Sequence, residues 1–464
     1  MKTGMISRRR FFGQANCALV SALPALNTLL NLRLAGSAAA AGGEPAGFRA
    51  LVCLFLNGGW DSFNILAPKG AAHAEYAAIR QDLAIPDAQL LGVNPDNNPG
   101  RALGVHPALP GIRDLFEAGR LAFVANAGTL VEPVTKAHYQ AGQLLPLGLF
   151  SHSDQTEQWQ TSLPDKRSSI GWGGRMADVL KGFNAQDKFS MNISLAGSNV
   201  WQAGNTVAEY AIRDTGADEL FGYASGPSGG DLTQIRSAAI DSQMALEYQN
   251  FFQQTFRQSK KDAIAASDIF NSATGSTLPP EIVWPSTPLG NQLRMVAKTI
   301  AGRNGLGMCR MTFFINFGGW DHHSGLLASQ AAMLPVVNDA VKAFYDTLTA
   351  LGAQDEVVLF TASDFGRTLT SNSQGSDHAW GGNQFVVGGQ VKGKRIYGQY
   401  PDLYPDNPLD VGRGRLIPTT SVDAFFAELA LWLGVPKASL PLVLPNIGRF
   451  HDTSGSSPPL GFLL

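Results

Sequence analysis

The stretch LVCLFLNGGWDSFN, residues 51–64, joins a continuous apolar run to a glycine pair and an aspartate. The same order returns in FINFGGWDHHSG, residues 314–325, where two histidines follow the aspartate. Apolar runs with β-branched and aromatic residues predict strands that are buried on both faces, and glycine pairs allow a sharp turn. The two stretches therefore predict two strands of one sheet, each followed by an acidic loop.

Similar runs along the rest of the chain extend this pattern. Strands are predicted at 49–57, 120–126, 310–317, 356–361 and 384–388, and helices at 107–119, 333–352 and 421–434. Strands that alternate with helices form mostly parallel sheets with helices on both faces. The expected fold is a three-layer α/β/α sandwich.

The stretch at about 183–285 is less regular, with a Gly- and Ser-rich piece at 224–231 and a long helical pattern at 233–262. We interpret it as an insertion or cap on one domain that covers residues 42–464. The chain carries 44% hydrophobic and 16% charged residues, which is enough apolar content for a large core.

The first 41 residues have the features of a twin-arginine signal peptide. Ser7–Phe12 reads SRRRFF, a weakly apolar stretch follows, and GSAAAAGG suits a signal peptidase. The alternative, a membrane anchor, is disfavoured because the apolar stretch is shorter than the roughly 20 residues that a span needs. We expect export of the folded protein to the periplasm or the medium, and no later membrane span.

Removal of this basic segment leaves a mildly acidic chain, since the whole protein already has a net charge of −2. An acidic protein is a poor candidate for binding nucleic acid. The remaining cysteines, Cys53 and Cys309, lie in strand-like runs, so we expect two buried thiols rather than a disulfide or a metal pair. An oxidoreductase is disfavoured because no GxGxxG follows the first strand and no cysteine cluster is present.

Polar residues follow the predicted strands at the edge where parallel sheets bind ligands. Converging carboxylates raise one another's pKa unless a cation lies among them, and added histidines suit Zn, Mn, Mg or Ca sites with oxygen and nitrogen ligands. Taken singly, each aspartate is as well explained by a turn or a helix cap. The residues concerned are Asp61, Asp321, His322, His323, Asp364, Arg367, Asp377 and His378.

The segment LFSHSDQTEQWQT, residues 149–161, offers a nucleophile. A serine at a helix N-terminus faces unpaired N–H groups that suit an anion, and a nearby metal could activate its hydroxyl. Ser151 and Ser153 are both candidates. The alternative is an ordinary helix cap, with Glu157 three residues after Asp154.

The motifs together resemble domain-of-unknown-function family 1501, exported bacterial proteins with a fold like that of alkaline phosphatases and sulfatases. The matching pieces are the twin-arginine start, LFLNGGWDSFN, LGVHPALPGIRDLFEAGRLAFVANAG (103–128), SHSDQTEQW, GWGGRMAD (171–178), GGWDHH, SDFGRT and SDHAWGG. The resemblance implies one or two divalent metal ions held at the carboxyl edge of the sheet by Asp61, Asp321, His323, Asp364 and His378. It further implies Ser151 as the nucleophile and Arg367 as a ligand of the substrate oxyanion.

Two departures from the phosphatase and sulfatase pattern stand out. Phe365 follows Asp364 where those enzymes have a histidine, so one nitrogen ligand is missing. No C/S-x-P-x-R motif is present, which argues against a sulfatase mechanism. The leading hypothesis is an exported, metal-dependent hydrolase of small-molecule or polymeric phosphate or sulfate esters. The alternative is a non-catalytic binding protein with a degenerate metal site and an exported protein partner.

Overall fold

The computed structural model describes residues 47–186, 188–225 and 230–463, and the predicted signal peptide lies outside them. These residues form twelve strands and twelve α-helices. The strands are β1 Arg49–Phe55, β2 Leu66–Pro68, β3 Leu91–Val93, β4 Leu103–Val105, β5 Leu121–Gly128, β6 Asn192–Ser194, β7 Tyr210–Ala211, β8 Arg310–Asn316, β9 Val357–Ala362, β10 Gly382–Gly388, β11 Ile396–Tyr397 and β12 Thr420–Ser421. The helices are α1 Ser62–Ile65, α2 His73–Arg80, α3 Pro110–Glu117, α4 Lys136–Gln140, α5 His152–Thr161, α6 Trp172–Leu180, α7 Asp231–Ala245, α8 Phe251–Thr274, α9 Pro288–Ala301, α10 Leu326–Ala350, α11 Val422–Leu433 and α12 Leu440–Val443.

Nine strands form one mixed, mostly parallel sheet in the order β11-β5-β10-β9-β1-β8-β6-β7, with β12 beside β5. Strand β10 runs antiparallel to both of its neighbours, and the other pairs are parallel. The two strands that carry the repeated sequence, β1 and β8, are adjacent and pair from Arg49↔Arg310 to Phe55↔Asn316. The prediction of a mostly parallel sheet is confirmed.

Alternate residues of β1 show that the sheet is covered on both faces. Ala50, Val52 and Leu54 belong to a core shared with α3, α9 and α10, whereas the residues between them pack with α6 and α11. A strand buried on both faces has no polar side to present, which explains its continuous apolar run. The three-layer α/β/α sandwich is therefore confirmed.

The strand and helix predictions differ from the structure mainly at their ends. The helical pattern at 233–262 is two helices, α7 and α8, because Asn250 caps α8 through its side chain and the chain leaves helical geometry at Leu246. Within 183–285, β6 and β7 join the large sheet. A short antiparallel sheet, β2-β4-β3, lies apart from it.

The two cysteines of the described residues are free, Cys53 buried and Cys309 half-buried. Burial raises the pKa of the Cys53 thiol well above its usual value. Among residues 47–186, 188–225 and 230–463, no helix is both long and apolar enough to cross a membrane.

Candidate metal centre

The two GGWD loops meet at the carboxyl edge of the sheet. Gly58 has a φ of +120°, and a Cβ there would lie 2.6 Å from the backbone N of Asp321. The N–H of Trp320 donates to the carbonyl of Asn57 at 3.2 Å, and the rings of Trp60 and Trp320 pack edge to face. Glycine is needed where one backbone approaches another this closely. The repeated sequence thus locks two loops together.

Asp364, at the end of β9, organises the same edge. Its Oδ1 accepts hydrogen bonds from the N–H groups of Gly58 and Gly59 at 2.9 and 2.7 Å. Its Oδ2 lies 2.6 Å from Nδ1 of His152. Both oxygens of this fully buried carboxylate are therefore engaged, one with the first loop and one with the start of α5.

Three imidazoles converge on Asp321. Nε2 of His323 lies 3.0 Å and Nε2 of His378 3.3 Å from Oδ1 of Asp321, and Nε2 of His152 lies 3.4 Å from Oδ2. The ligand atoms of His152, Asp321 and His378 all lie within 4.8 Å of one another. We call Asp321, His152, His323 and His378 the histidine cluster.

The other ring nitrogen of each histidine is held by an acceptor. Nδ1 of His378 donates to the carbonyl of Phe150 at 2.8 Å, and Nδ1 of His323 lies 3.0 Å from Asp377. His152 is held by Asp364 in the same way. A proton fixed on Nδ1 leaves the Nε2 lone pair free, which is the arrangement found in metal-binding histidines.

The donor atoms of the histidine cluster are of the kind that bind a cation. Nε2 of His323 and Nε2 of His378 are only 2.9 Å apart, and two lone pairs at this distance repel unless a proton or a metal ion lies between them. Nε2 of His152 is buried and has no hydrogen-bond partner among the described residues. Ligands of a tetrahedral Zn²⁺ at about 2.1 Å lie about 3.4 Å from one another, close to the 3.3 Å and 3.4 Å that separate Asp321 from His378 and His152.

The charges of the cluster are tuned in opposite directions. The hydrogen bond to Asp364 raises the pKa of His152, whereas desolvation lowers the pKa of His378 and favours its neutral form. Desolvation opposes ionisation of Asp321, but the hydrogen bond and charge of Arg367 outweigh it and lower its pKa. Desolvation likewise opposes ionisation of Asp377, yet its hydrogen bonds lower its pKa to about 2, so it stays an acceptor for His323.

Asp61, expected as a ligand from the first strand, is engaged elsewhere. It is buried and forms an ion pair with Arg80 of α2, and both side chains are fully inaccessible. Arg80 also donates to the carbonyl of Thr368 at 3.0 Å. The structure gives Asp61 a buried charge partner and does not include it in the histidine cluster.

Arg367, expected to bind a substrate oxyanion, is fully buried and directs its donors at the protein. Nη1 donates to Asp321 at 2.6 Å and to the carbonyl of Gly58 at 3.3 Å. Nε and Nη2 donate to the hydroxyl and the carbonyl of Ser376. Its position therefore makes Arg367 a support for the carboxylate of Asp321.

Ser151 is the N-cap of α5, and its hydroxyl accepts from the N–H of Asp154 at 3.5 Å. The same hydroxyl lies 3.1 Å from that of Ser153. Both serines thus share one hydrogen bond at the start of the helix whose first residue, His152, belongs to the cluster.

Sequence reasoning missed His152 as a member of this cluster. Its position explains how the chain tolerates Phe365 after Asp364, because the Phe365 ring packs 4.7 Å from the rings of both His152 and His378. His152, at the start of α5, thus brings an imidazole to this edge of the sheet, where Phe365 offers none. Of the adjacent pair, His323 reaches the cluster, while His322 is buried beside Trp320. The sequence does contain one indication of its role, because His152 directly follows the candidate nucleophile.

Comparisons with known proteins place the chain in a family. No curated protein matches it. Among solved structures, Ps i-CgsB in complex with k-i-k-neocarrahexaose is 12% identical over 88% of this chain and 78% of that chain, with a TM-score of 0.33. PsFucS1 sulfatase from Pseudoalteromonas sp. is 12% identical over 88% and 73%, with a TM-score of 0.31. The lipoteichoic acid synthase LtaP from Listeria monocytogenes is 9% identical over 86% and 78%, with a TM-score of 0.29.

Similarities this weak carry no argument about what the chain does. The family model described as protein of unknown function (DUF1501), in contrast, matches residues 49–438, which include both GGWD loops and the whole histidine cluster. The chain belongs to the DUF1501 family.

Proposed function

We propose that the histidine cluster binds one divalent metal ion and that the exported protein hydrolyses phosphate or sulfate esters. The observation that carries the metal site is the convergence of three Nε2 atoms, from His152, His323 and His378, on the single carboxylate of Asp321. Three imidazoles and one carboxylate favour Zn²⁺ or a similar transition ion over Mg²⁺ or Ca²⁺, which prefer oxygen ligands. Asp61 and Asp364 lie outside the proposed ligand set.

The residues behind the ligands would hold them in place. Asp364, Asp377 and the carbonyl of Phe150 orient the three imidazoles, and Arg367 orients Asp321. A bound divalent ion would supply Lewis-acid polarisation of an ester oxygen. The side chains of Asp321 and His323 are 43% and 45% exposed, so a substrate can approach from solvent.

The nucleophile in this proposal is the hydroxyl of Ser151 or a water molecule. Ser151 precedes the ligand His152 and lies at the N-terminus of a ten-residue helix, where free N–H groups and the helix dipole favour an anionic group. The substrate class is a small-molecule or polymeric ester. We also propose that the protein is exported by the twin-arginine pathway. We further propose that it folds as one domain, with the segment at 183–285 as an insertion.

The test begins with purified protein that lacks residues 1–41. Metal content by elemental analysis should be about one ion per chain, and hydrolysis of p-nitrophenyl phosphate and p-nitrophenyl sulfate should depend on it. His152→Ala and His378→Ala should lose both the metal and the activity. His138→Ala is the matched control, because His138 lies on α4 outside the cluster. Protein that stays metal-free when Zn²⁺, Mn²⁺ and Mg²⁺ are supplied would exclude the hydrolase.

A specific observation favours a second candidate, a non-catalytic binding protein with a structural metal. The guanidinium of Arg367 donates its hydrogen bonds to protein acceptors, and the hydroxyl of Ser151 caps a helix. Both expected catalytic groups are therefore already engaged within the protein. Metal-loaded protein that hydrolyses none of a broad panel of phosphate and sulfate esters would favour this candidate. The next measurement would then be co-purification of an exported protein partner.

A further inference from the structure

The hairpin of α7 and α8 exposes large apolar side chains to solvent. Phe251, Phe252 and Phe256 near the start of α8 are 76%, 80% and 64% exposed. Leu232 and Ile235 of α7 are exposed to a similar degree. Apolar patches of more than a few hundred Å² on a soluble protein indicate an interaction surface. The function proposed above makes no use of this hairpin.

Many residues of both helices are exposed, and four large apolar side chains among them recur at steps of three or four residues. In α7 the positions 232, 235, 239 and 242 carry Leu, Ile, Ala and Ser, all exposed. In α8 the positions 252, 256, 259 and 263 carry Phe, Phe, Ser and Ala, again all exposed. Alternating steps of three and four residues are the pattern of helices that pack in bundles and coiled coils. We call these positions the hairpin stripe.

The same face of α8 is buried farther along the helix. Continuing the steps of three and four from 263 gives Ala266 and Phe270, and both belong to the core of the molecule. The C-terminal part of this face therefore packs against the body, and the N-terminal part extends beyond it. Its pattern is that of a packing face that residues 47–186, 188–225 and 230–463 leave uncovered.

The hairpin also gains little stability from the body of one chain. Among the described residues, α7 buries only Ser237, and α8 buries none before Ala266. Helices in proteins owe most of their stability to packing of an apolar face. A partner on the hairpin stripe would supply the missing burial.

We propose that a second copy of this chain covers the hairpin stripe, so that two hairpins form a four-helix bundle about a two-fold axis. Four large side chains of the stripe and two that flank it, each of about 100–150 Å², offer roughly 700 Å², close to the roughly 800 Å² per partner of a standard interface. They are Leu232, Ile235, Leu246, Phe251, Phe252 and Phe256.

The charge of the hairpin separates a second copy from a lipid surface. Residues 231–262 hold four basic and four acidic side chains, so the segment is neutral overall. Helices that bind anionic membranes carry an excess of Lys and Arg on their polar face. A neutral surface with both signs suits a self-complementary contact, in which each patch meets its own copy.

Sedimentation equilibrium of the chain without residues 1–41 tests the proposal. The wild-type protein should have the mass of a dimer. The double variant Phe252→Gln with Phe256→Gln should be monomeric, with a dimer Kd raised at least about 100-fold. Val283→Gln is the control, because Val283 is 88% exposed but lies outside the hairpin; it should remain dimeric.

A second double variant, Leu232→Gln with Ile235→Gln on α7, makes the test independent of any local effect on α8. It should also be monomeric, with an unchanged circular dichroism spectrum. A wild-type protein that is monomeric at every concentration, or a dimer that both double variants leave intact, would overturn the proposal. So would a monomer that binds vesicles of phosphatidylcholine and phosphatidylglycerol through the same phenylalanines.

Discussion

The first and second GGWD loops share their sequence and follow neighbouring, paired strands, yet their aspartates have opposite environments. Asp61 is 1% exposed and paired with a buried arginine. The side chain of Asp321 is 43% exposed and lies 3.0–3.4 Å from Nε2 of three imidazoles. The two loops therefore have the same turn sequence, but their aspartates differ in exposure and in the groups that they contact.

The difference comes from what reaches each carboxylate from elsewhere in the chain. Arg80 reaches Asp61 from α2, nineteen residues later. Arg367, which is buried, donates to the carboxylate of Asp321. The histidines contact the same carboxylate near the solvent. The comparison shows that the two copies of the GGWD motif form the same kind of turn, whereas their aspartates contact different partners.

The largest expected effect concerns the buried ion pair. Asp61→Ala leaves Arg80 charged and unpaired in the core, and it should lower the free energy of unfolding by about 3–5 kcal/mol. Urea denaturation monitored by circular dichroism measures this. The matched variant Asp321→Ala should cost only about 1 kcal/mol, because the side chain of Asp321 is 43% exposed and water can take its place beside Arg367. Equal losses in the two variants would remove the distinction between the loops.

Glycine substitutions sharpen the comparison at the loop backbones. Gly58→Ala forces a side chain to a φ of +120° and into the backbone of Asp321, and should cost about 2–4 kcal/mol. The equivalent Gly318→Ala should cost less than about 1 kcal/mol, because a Cβ there meets only the carbonyl of Asn57, at 4.0 Å. Thermal unfolding of both variants would decide this, and a reversed order would contradict the packing of the two loops.

How far the sequence leads can be seen in these same residues. The apolar runs predict β1, β8 and β9 and the edge at which their loops meet, because a buried strand leaves a local signal. The roles of Asp61 and Asp321 cannot be separated locally, since both stand in GGWD. Two further features are tertiary contacts that the spacing of residues in the sequence does not predict. They are the ion pair of Asp61 with Arg80 and the contact of His152 with Asp364.

A smaller effect is expected behind the second loop. Asp377→Asn keeps an acceptor near Nδ1 of His323 but removes its charge, and should weaken metal binding about 10- to 100-fold. Competition with a chromophoric chelator measures the affinity. Asp165→Asn, a change at a carboxylate that pairs with Arg449, serves as the control and should leave the affinity unchanged. An unaltered affinity in Asp377→Asn would argue against His323 as a ligand.

A small effect on stability is expected at the start of α5. Ser151→Ala removes the helix cap and should cost about 1 kcal/mol. If Ser151 is also the nucleophile, ester hydrolysis should fall by at least about 1,000-fold while the metal stays bound. Ser153→Ala should retain activity, and the reverse pattern would assign the nucleophile to Ser153.

The comparison of the two loops is tested most directly by the metal content of wild-type protein, Asp61→Asn and Asp321→Asn after identical purification. We predict about one divalent ion per chain in the wild type and in Asp61→Asn, and less than about a tenth of that in Asp321→Asn. Metal retained in folded Asp321→Asn, or lost from folded Asp61→Asn, would contradict the assignment of a structural role to the first aspartate and a ligand role to the second.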